Sequence, residues 1–245
     1  MADFKTHLYG ACLTSGLLAT TLVLGGVAES QEIFMYFVMG ITGGILPDVD
    51  MDKSVPMRLA FDFLAPVLAF PVVFSQSAGH SVAELFLIWI TAFFTIRYFL
   101  PSVLSHLTVH RGLTHSVPAG VICCFLAAIF LRRVFRFSDF DAWMGGFFLL
   151  FGFIVHLILD EINSLDMSAK RLKKSLGTAF KLGDPNDSEI TILLYISIIV
   201  LFFLTPDIAS FFKIISDKSY SSDIHLLPQG HWFEGVHKSF TGWWK

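Results

Sequence analysis

The chain has 245 residues, of which 54% are hydrophobic and 15% charged, and its mean hydropathy is +0.67. Soluble proteins carry about a quarter charged residues, so this composition indicates a membrane protein and excludes disordered and collagen-like chains. The net charge of −3 gives no basic surplus for binding a nucleic-acid backbone. The cysteines all lie in apolar runs and predict neither a disulfide framework nor a thiolate metal site.

Apolar runs follow one another along most of the chain. The first, residues 8–28, contains no charge and is long enough to cross a hydrocarbon core about 30 Å thick. The later runs cover residues 33–47, 63–74, 85–100, 117–131, 142–159 and 190–204. Several are shorter than the roughly 20 residues of an ideal span, so we predict an all-α polytopic membrane bundle with about five to seven transmembrane segments. This bundle would occupy residues 1–205 and be followed by an aqueous tail, residues 206–245.

Ionisable residues beside these runs are candidates for function, because charge is costly near the membrane interior. They form four groups: His7; Asp48, Asp50 and Asp52; His106, His110, Arg111 and His115; and His156 with Asp160. If each run crosses once, all four groups reach the same membrane face. More Lys and Arg fall on that face than on the other, which favours a cytoplasmic location, although Arg132, Arg133 and Arg136 oppose it.

The residue types in these groups suit a metal. His156 and Asp160 are four residues apart, as are His106 and His110, and side chains at that spacing share a helix face. A set of histidines and carboxylates without thiolates is typical of a catalytic zinc, manganese or iron site rather than of a structural zinc site. Several such ligands on one face would hold one or two divalent ions, with Zn²⁺ favoured.

Four sequence features occur together in one order. A histidine precedes the first span, and Leu-Pro-Asp-Val-Asp covers residues 46–50. His-Arg-Gly-Leu-Thr-His-Ser covers residues 110–116, and a His-x-x-x-Asp pair begins at His156. Over residues 1–185 this pattern resembles the YdjM-like family of LexA-regulated inner-membrane proteins, which are described as metal-dependent hydrolases. That family is similar, at a distance, to the zinc-dependent phospholipase C and single-strand nuclease superfamily.

The resemblance implies a set of metal ligands, with Asp50 and His106 as further candidates. The implied ligands are His7, Asp48, His110, His115, His156 and Asp160. The superfamily's cluster also uses a free N-terminal amino group, whereas here Met1 precedes His7, so one or two ions are expected instead of three.

The expected activity is metal-assisted hydrolysis of a phosphoester in a lipid or lipid-linked substrate at the inner membrane. Asp50 or Asp48 would act as general base, and Arg111, whose planar fork matches phosphate, would stabilise phosphoryl charge. Thr114 and Ser116 would orient ligands or substrate. Two alternatives remain open at this point: a metal-ion transporter or channel, and a non-catalytic scaffold whose metal staples helices together.

Overall fold

The computed structural model describes residues 3–28, 30–50, 65–66, 69–70, 72–73, 80–99, 115–166, 171–172, 182–183 and 188–217. Seven α-helices lie in these residues: α1 (Phe4–Leu24), α2 (Ser30–Ile45), α3 (Val82–Phe94), α4 (Val117–Arg133), α5 (Asp139–Ser164), α6 (Ser188–Leu204) and α7 (Ala209–Ile215). A 3-10 turn, Leu46–Asp50, continues α2, and a π-helical turn, Thr95–Phe99, continues α3. Two-residue strands, Leu165–Asp166 and Arg171–Leu172, pair antiparallel after α5.

Side chains next to the helices fix where they begin. The Asp3 carboxylate accepts a hydrogen bond from the Thr6 N–H at 2.9 Å and caps α1. Ser116 caps α4 in the same way, and Pro118 stands in its first turn, where a missing N–H costs nothing. Ser81 and Glu84 form a reciprocal capping box at the start of α3. These caps place His7 and His115 next to helix N-termini.

The longest helix, α5, is the centre of the bundle. It packs against α1, α2 and α4 along its length and against α7 near its start, while α6 packs on α4. The core between α1, α2 and α5 is formed by Ala19, Tyr36, Met144 and Phe148. Glycines let the backbones of α2 and α5 approach closely, since a Cβ on Gly43 would overlap the Leu149 carbonyl.

The span count of five to seven is not confirmed. Within the described residues, the helices 4–24 and 139–163 are long and apolar enough to cross a membrane. The pair α6 and α7 would add a third span if it is one segment bent by 86°. Six of the seven predicted runs lie in described helices, but α2 and α4 have 16 and 17 residues, which is short of the roughly 20 needed for a full crossing. The third predicted run, residues 63–74, is described only in part.

The predicted division at residue 205 stays a prediction. The first described residues beyond it pack on α5 rather than extending away from it. The Trp143 indole N–H donates to the Pro206 carbonyl at 3.0 Å, and the Phe211 ring on α7 lies against Phe140, Trp143 and Phe147.

Candidate metal centre

His7 enters the bundle from the first turn of α1. Its side chain is buried together with Ala11, Ser15 and Ala19, which follow it at four-residue intervals. This spacing makes one face of α1, and the small residues on it allow α1 to lie close to α2 and α5. The helix therefore carries an imidazole into the interior, where only 1% of the His7 surface remains exposed.

The C-terminal part of α5 supplies His156 and Asp160. The two side chains are one turn apart on the same face, and both are buried. His156 Nδ1 lies 2.9 Å from the Gly44 carbonyl oxygen. A carbonyl can only accept a hydrogen bond, so Nδ1 carries the proton and Nε2 directs a lone pair towards the acidic side chains.

Asp48 and His115 complete the cluster from two irregular segments. Asp48 lies in the 3-10 turn that follows α2, and His115 directly precedes the Ser116 cap of α4. Their side chains are 12% and 20% exposed, whereas those of His7 and His156 are fully buried. The cluster is therefore closed on the α1–α5 side and accessible on the side of Asp48 and His115.

The nitrogen–oxygen distances in the cluster fall in a narrow range. His7 Nε2 lies 3.3 Å from Asp160 Oδ1 and 3.9 Å from Asp48 Oδ2. His156 Nε2 lies 3.6 Å from both Asp160 Oδ2 and Asp48 Oδ1. His115 Nε2 lies 3.8 Å from Asp48 Oδ1. Direct N–H···O hydrogen bonds have lengths of about 2.7–3.2 Å, so these contacts are too long for hydrogen bonding.

Buried nitrogens in the cluster have no hydrogen-bond partner within the described residues. These atoms are both ring nitrogens of His7 and Nε2 of His156. A buried polar atom without a partner costs roughly 1–3 kcal/mol, so native proteins seldom retain one without a ligand or water. The two Nε2 atoms point at carboxylate oxygens, where an intervening cation would satisfy both partners.

The residues present fit a divalent metal. Imidazoles bind metals in their neutral form, so three of them with two carboxylates would bring a charge of −2 into a largely buried space, which a divalent cation neutralises. Ligands about 2.1 Å from a tetrahedral zinc lie roughly 3.4 Å apart, close to the separations found here. Donor atoms lie within 4.8 Å of one another in two groups. One group is His7, His156 and Asp160, and the other is Asp48, His115 and His156.

Five of the six ligands implied by the sequence thus lie in one cluster. The sixth, His110, lies outside the described residues, as do His106, Arg111 and Thr114. Asp50 ends the 3-10 turn, but its side chain is also outside the described part. Ser116 is buried and its hydroxyl accepts a hydrogen bond from the Ala119 N–H, so it positions the segment that carries His115.

Two features of the cluster were not predicted from the sequence. One is the Gly44 carbonyl that fixes the His156 tautomer, and the other is the stacking of the His7 and His156 rings. A backbone acceptor carries no sequence signal of its own. The Gly43-Gly44 pair beside the aspartates was the available sign that a backbone approaches closely there.

The model of the family described as YdjM inner membrane protein matches residues 1–203. This chain belongs to that family. No curated protein and no solved structure shows a significant match. Membership in the YdjM family, together with the apolar helices, identifies the chain as an inner-membrane protein. The family match includes every residue of the cluster.

Proposed function

We propose that this YdjM-family chain is a membrane-bound, metal-dependent hydrolase that cleaves a phosphoester in a lipid or lipid-linked substrate. The observation that carries the proposal is the convergence of three imidazoles and two carboxylates with hydrogen-bond-free nitrogens on His7 and His156. Such a set without thiolates is typical of catalytic metal sites. Four separate segments contribute the donors, so the folded chain assembles them.

The differing exposure of the ligands supports catalysis. His7, His156 and Asp160 form the buried wall of the centre, while Asp48 and His115 line the accessible side, where substrate would enter. A bound divalent cation supplies a water of lowered pKa and polarises a phosphoryl oxygen. The Gly44 carbonyl holds the His156 ring so that Nε2 keeps its lone pair for the ion.

The position of the cluster along the apolar helices supports a lipid substrate. His7 is in the first turn of α1, and Asp160 is in the last two turns of α5. Both helices are candidate membrane spans, so the cluster would lie near a membrane surface, at the depth of lipid head groups. The roles predicted for Asp50 as general base, Arg111 as phosphate contact and Thr114 as orienting group stay predictions.

The test is metal analysis of the detergent-purified full chain, comparing wild type with His156→Ala/Asp160→Ala. We expect at least one equivalent of zinc, manganese or iron in the wild type and its loss in the variant. His80→Ala/Asp207→Ala, which alters the same residue types outside the cluster, should retain the metal. Metal-free wild-type protein after reconstitution with each ion would contradict the proposal.

Activity is tested on the same preparations. Mixed micelles containing a phospholipid or an isoprenoid phosphate are incubated with metal-loaded protein, and released phosphate or phosphorylated head group is measured. We expect turnover by the wild type and by the His80→Ala/Asp207→Ala control, and at least a 100-fold loss with His115→Ala. Full turnover by His115→Ala would exclude this residue from the site.

The second candidate function is structural, with a metal that holds the helices together and takes no part in catalysis. It is favoured by the origin of the ligands, since α1, α5, the turn after α2 and the segment before α4 all contribute. A staple predicts that chelation lowers the melting temperature while no phosphoester is cleaved by the loaded protein. Hydrolysis that disappears on chelation and returns with the ion would exclude it.

A further inference from the structure

The stacking of the His7 and His156 rings bears on how many metal ions the cluster can hold. The rings of His7 and His156 are stacked, with centroids 3.7 Å apart and planes inclined by 14°. Both Nε2 atoms are directed at the same two carboxylates, Asp48 and Asp160. The rings therefore lie face to face, and their Nε2 lone pairs point in nearly parallel directions.

Parallel lone pairs do not converge on one ion. An imidazole binds a metal in the plane of its ring, at about 2.1 Å for zinc. An ion midway between these rings would lie up to about 1.8 Å out of each ring plane, which is half the distance between the ring centroids and most of the length of that bond. One ion thus cannot take good bonds from both His7 and His156, whereas one ion for each ring can.

The carboxylates are oriented to serve two ions. Asp160 directs Oδ1 at His7 Nε2 and Oδ2 at His156 Nε2, at 3.3 and 3.6 Å. Asp48 does the reverse, with Oδ2 at His7 Nε2 and Oδ1 at His156 Nε2, at 3.9 and 3.6 Å. Each carboxylate thus offers one oxygen to each ring, the arrangement that lets a carboxylate bridge a pair of metals.

We propose that the centre is dinuclear, with Asp48 and Asp160 bridging two divalent cations. His7 would bind the first ion, together with Asp160 Oδ1 and Asp48 Oδ2. His156 and His115 would bind the second, together with Asp160 Oδ2 and Asp48 Oδ1. The ring separation of 3.7 Å agrees with the roughly 3.5–4 Å between the ions of two-metal phosphatases and nucleases.

A pair of ions also favours an anionic substrate. Over the five described side chains, two carboxylates and two divalent cations give a charge of +2, whereas a single ion gives zero. A site with that positive charge is suited to the phosphate dianion of a phosphomonoester, which two ions can hold from both sides. This inference rests on the proposed function for the presence of metal and adds the number of ions and the charge of the substrate.

The test uses Mn²⁺ as the probe, with the full chain in detergent stripped of metal and then titrated. We expect two equivalents to bind and the electron paramagnetic resonance spectrum to show the multiline pattern of an exchange-coupled pair. One equivalent with the spectrum of an isolated ion would overturn the dinuclear assignment and leave the metal-dependent hydrolase in place. Two uncoupled ions would overturn the bridging carboxylates, and no bound Mn²⁺, Zn²⁺ or Fe²⁺ would overturn both proposals.

Substitution of His7 distinguishes the two ion sites. His7→Ala removes the histidine of the first ion, so we expect one equivalent to remain and the coupling to disappear, while His80→Ala keeps both. Retention of both ions by His7→Ala, or loss of both by a protein that still elutes as a monodisperse species, would refute the assignment. If His7→Ala does not fold, the wild-type stoichiometry and coupling decide the question alone.

Discussion

At the scale of single residues, buried polar groups in this protein are held in two different ways. In the metal cluster the His7 and His156 nitrogens face carboxylates at distances that suit an intervening ion. At the other end of α5, the Tyr36 hydroxyl donates directly to Asp141 Oδ1 at 2.5 Å, and Ser138 donates to Asp141 Oδ2. The second group is already satisfied and needs no ligand.

The Tyr36–Asp141 bond supports a prediction about stability. Tyr36 is fully buried, so Tyr36→Phe removes a hydrogen bond to a charged group and should lower the free energy of unfolding by about 1.5–3 kcal/mol. Metal content should not change, since Asp141 and His156 are about 22 Å apart along α5.

The control for this variant is Tyr195→Phe. The Tyr195 hydroxyl donates to the Leu182 carbonyl on an exposed part of the chain, so its loss should change the stability by less than about 0.5 kcal/mol. Both variants are compared by thermal unfolding in detergent. Equal melting temperatures for the two variants would show that the Tyr36 bond adds no net stability.

At the scale of elements, the site depends on how closely α2 approaches α5. A Cβ on Gly152 would overlap the Gly40 carbonyl and lie 2.9 Å from the Gly44 nitrogen. Gly44 in turn provides the carbonyl that holds His156. The packing of the two helices and the orientation of a metal ligand are therefore coupled through the same few backbone atoms.

Gly152→Ala should disturb both properties. The added methyl group has to push α2 away from α5, and overpacking of this kind costs about 1–3 kcal/mol. The Gly44 carbonyl would move with α2, so metal content should also fall. Both effects are measured on one preparation, by thermal unfolding and by elemental analysis.

Gly16→Ala is the matched control within the same bundle. Its Cβ would lie 3.5 Å from the Phe37 ring, an ordinary van der Waals distance. Since alanine also favours helix over glycine, this variant should be at least as stable as the wild type. If Gly152→Ala had the same melting temperature as Gly16→Ala and kept its metal, the coupling between helix packing and metal binding would be refuted.

At the scale of the whole molecule, the cluster fixes the relative direction of the helices. His7 near the start of α1 contacts Asp160 near the end of α5, and His115 joins them just before α4. The start of α1 and the end of α5 therefore lie at the level of the cluster, and the end of α4 lies at the opposite end of the bundle.

This arrangement predicts the pattern of labelling by a membrane-impermeant maleimide. In a background lacking Cys12, Cys123 and Cys124, Lys5→Cys and Asn163→Cys should react from the same side of the membrane, and Arg133→Cys from the other. A cytoplasmic cluster requires that the first two be protected in spheroplasts. Labelling of Lys5→Cys and Asn163→Cys from opposite sides would contradict the arrangement of α1 and α5.

The sequence by itself determined the chemical character of this protein. Its composition indicated a membrane protein, because a soluble fold needs more charged residues than these to cover so many apolar ones. Six of the seven apolar runs lie in the described helices. The candidate ligands could also be chosen from the sequence. Histidines and aspartates beside apolar runs are energetically costly near the membrane interior, so their presence indicates a function. Spacing alone linked only local pairs, His156 with Asp160 and His106 with His110, and the second pair lies outside the described residues.

Tertiary structure decided how those residues meet. His7 and Asp160 are far apart along the chain, and only the close packing of α1, α2 and α5 over small residues brings them to 3.3 Å. The stacking of His7 on His156 and the Gly44 carbonyl depend on helix rotation and on backbone position, which no residue type encodes. The span count also lies beyond the sequence, because an apolar run of 16 or 17 residues fits both a buried helix and a short crossing.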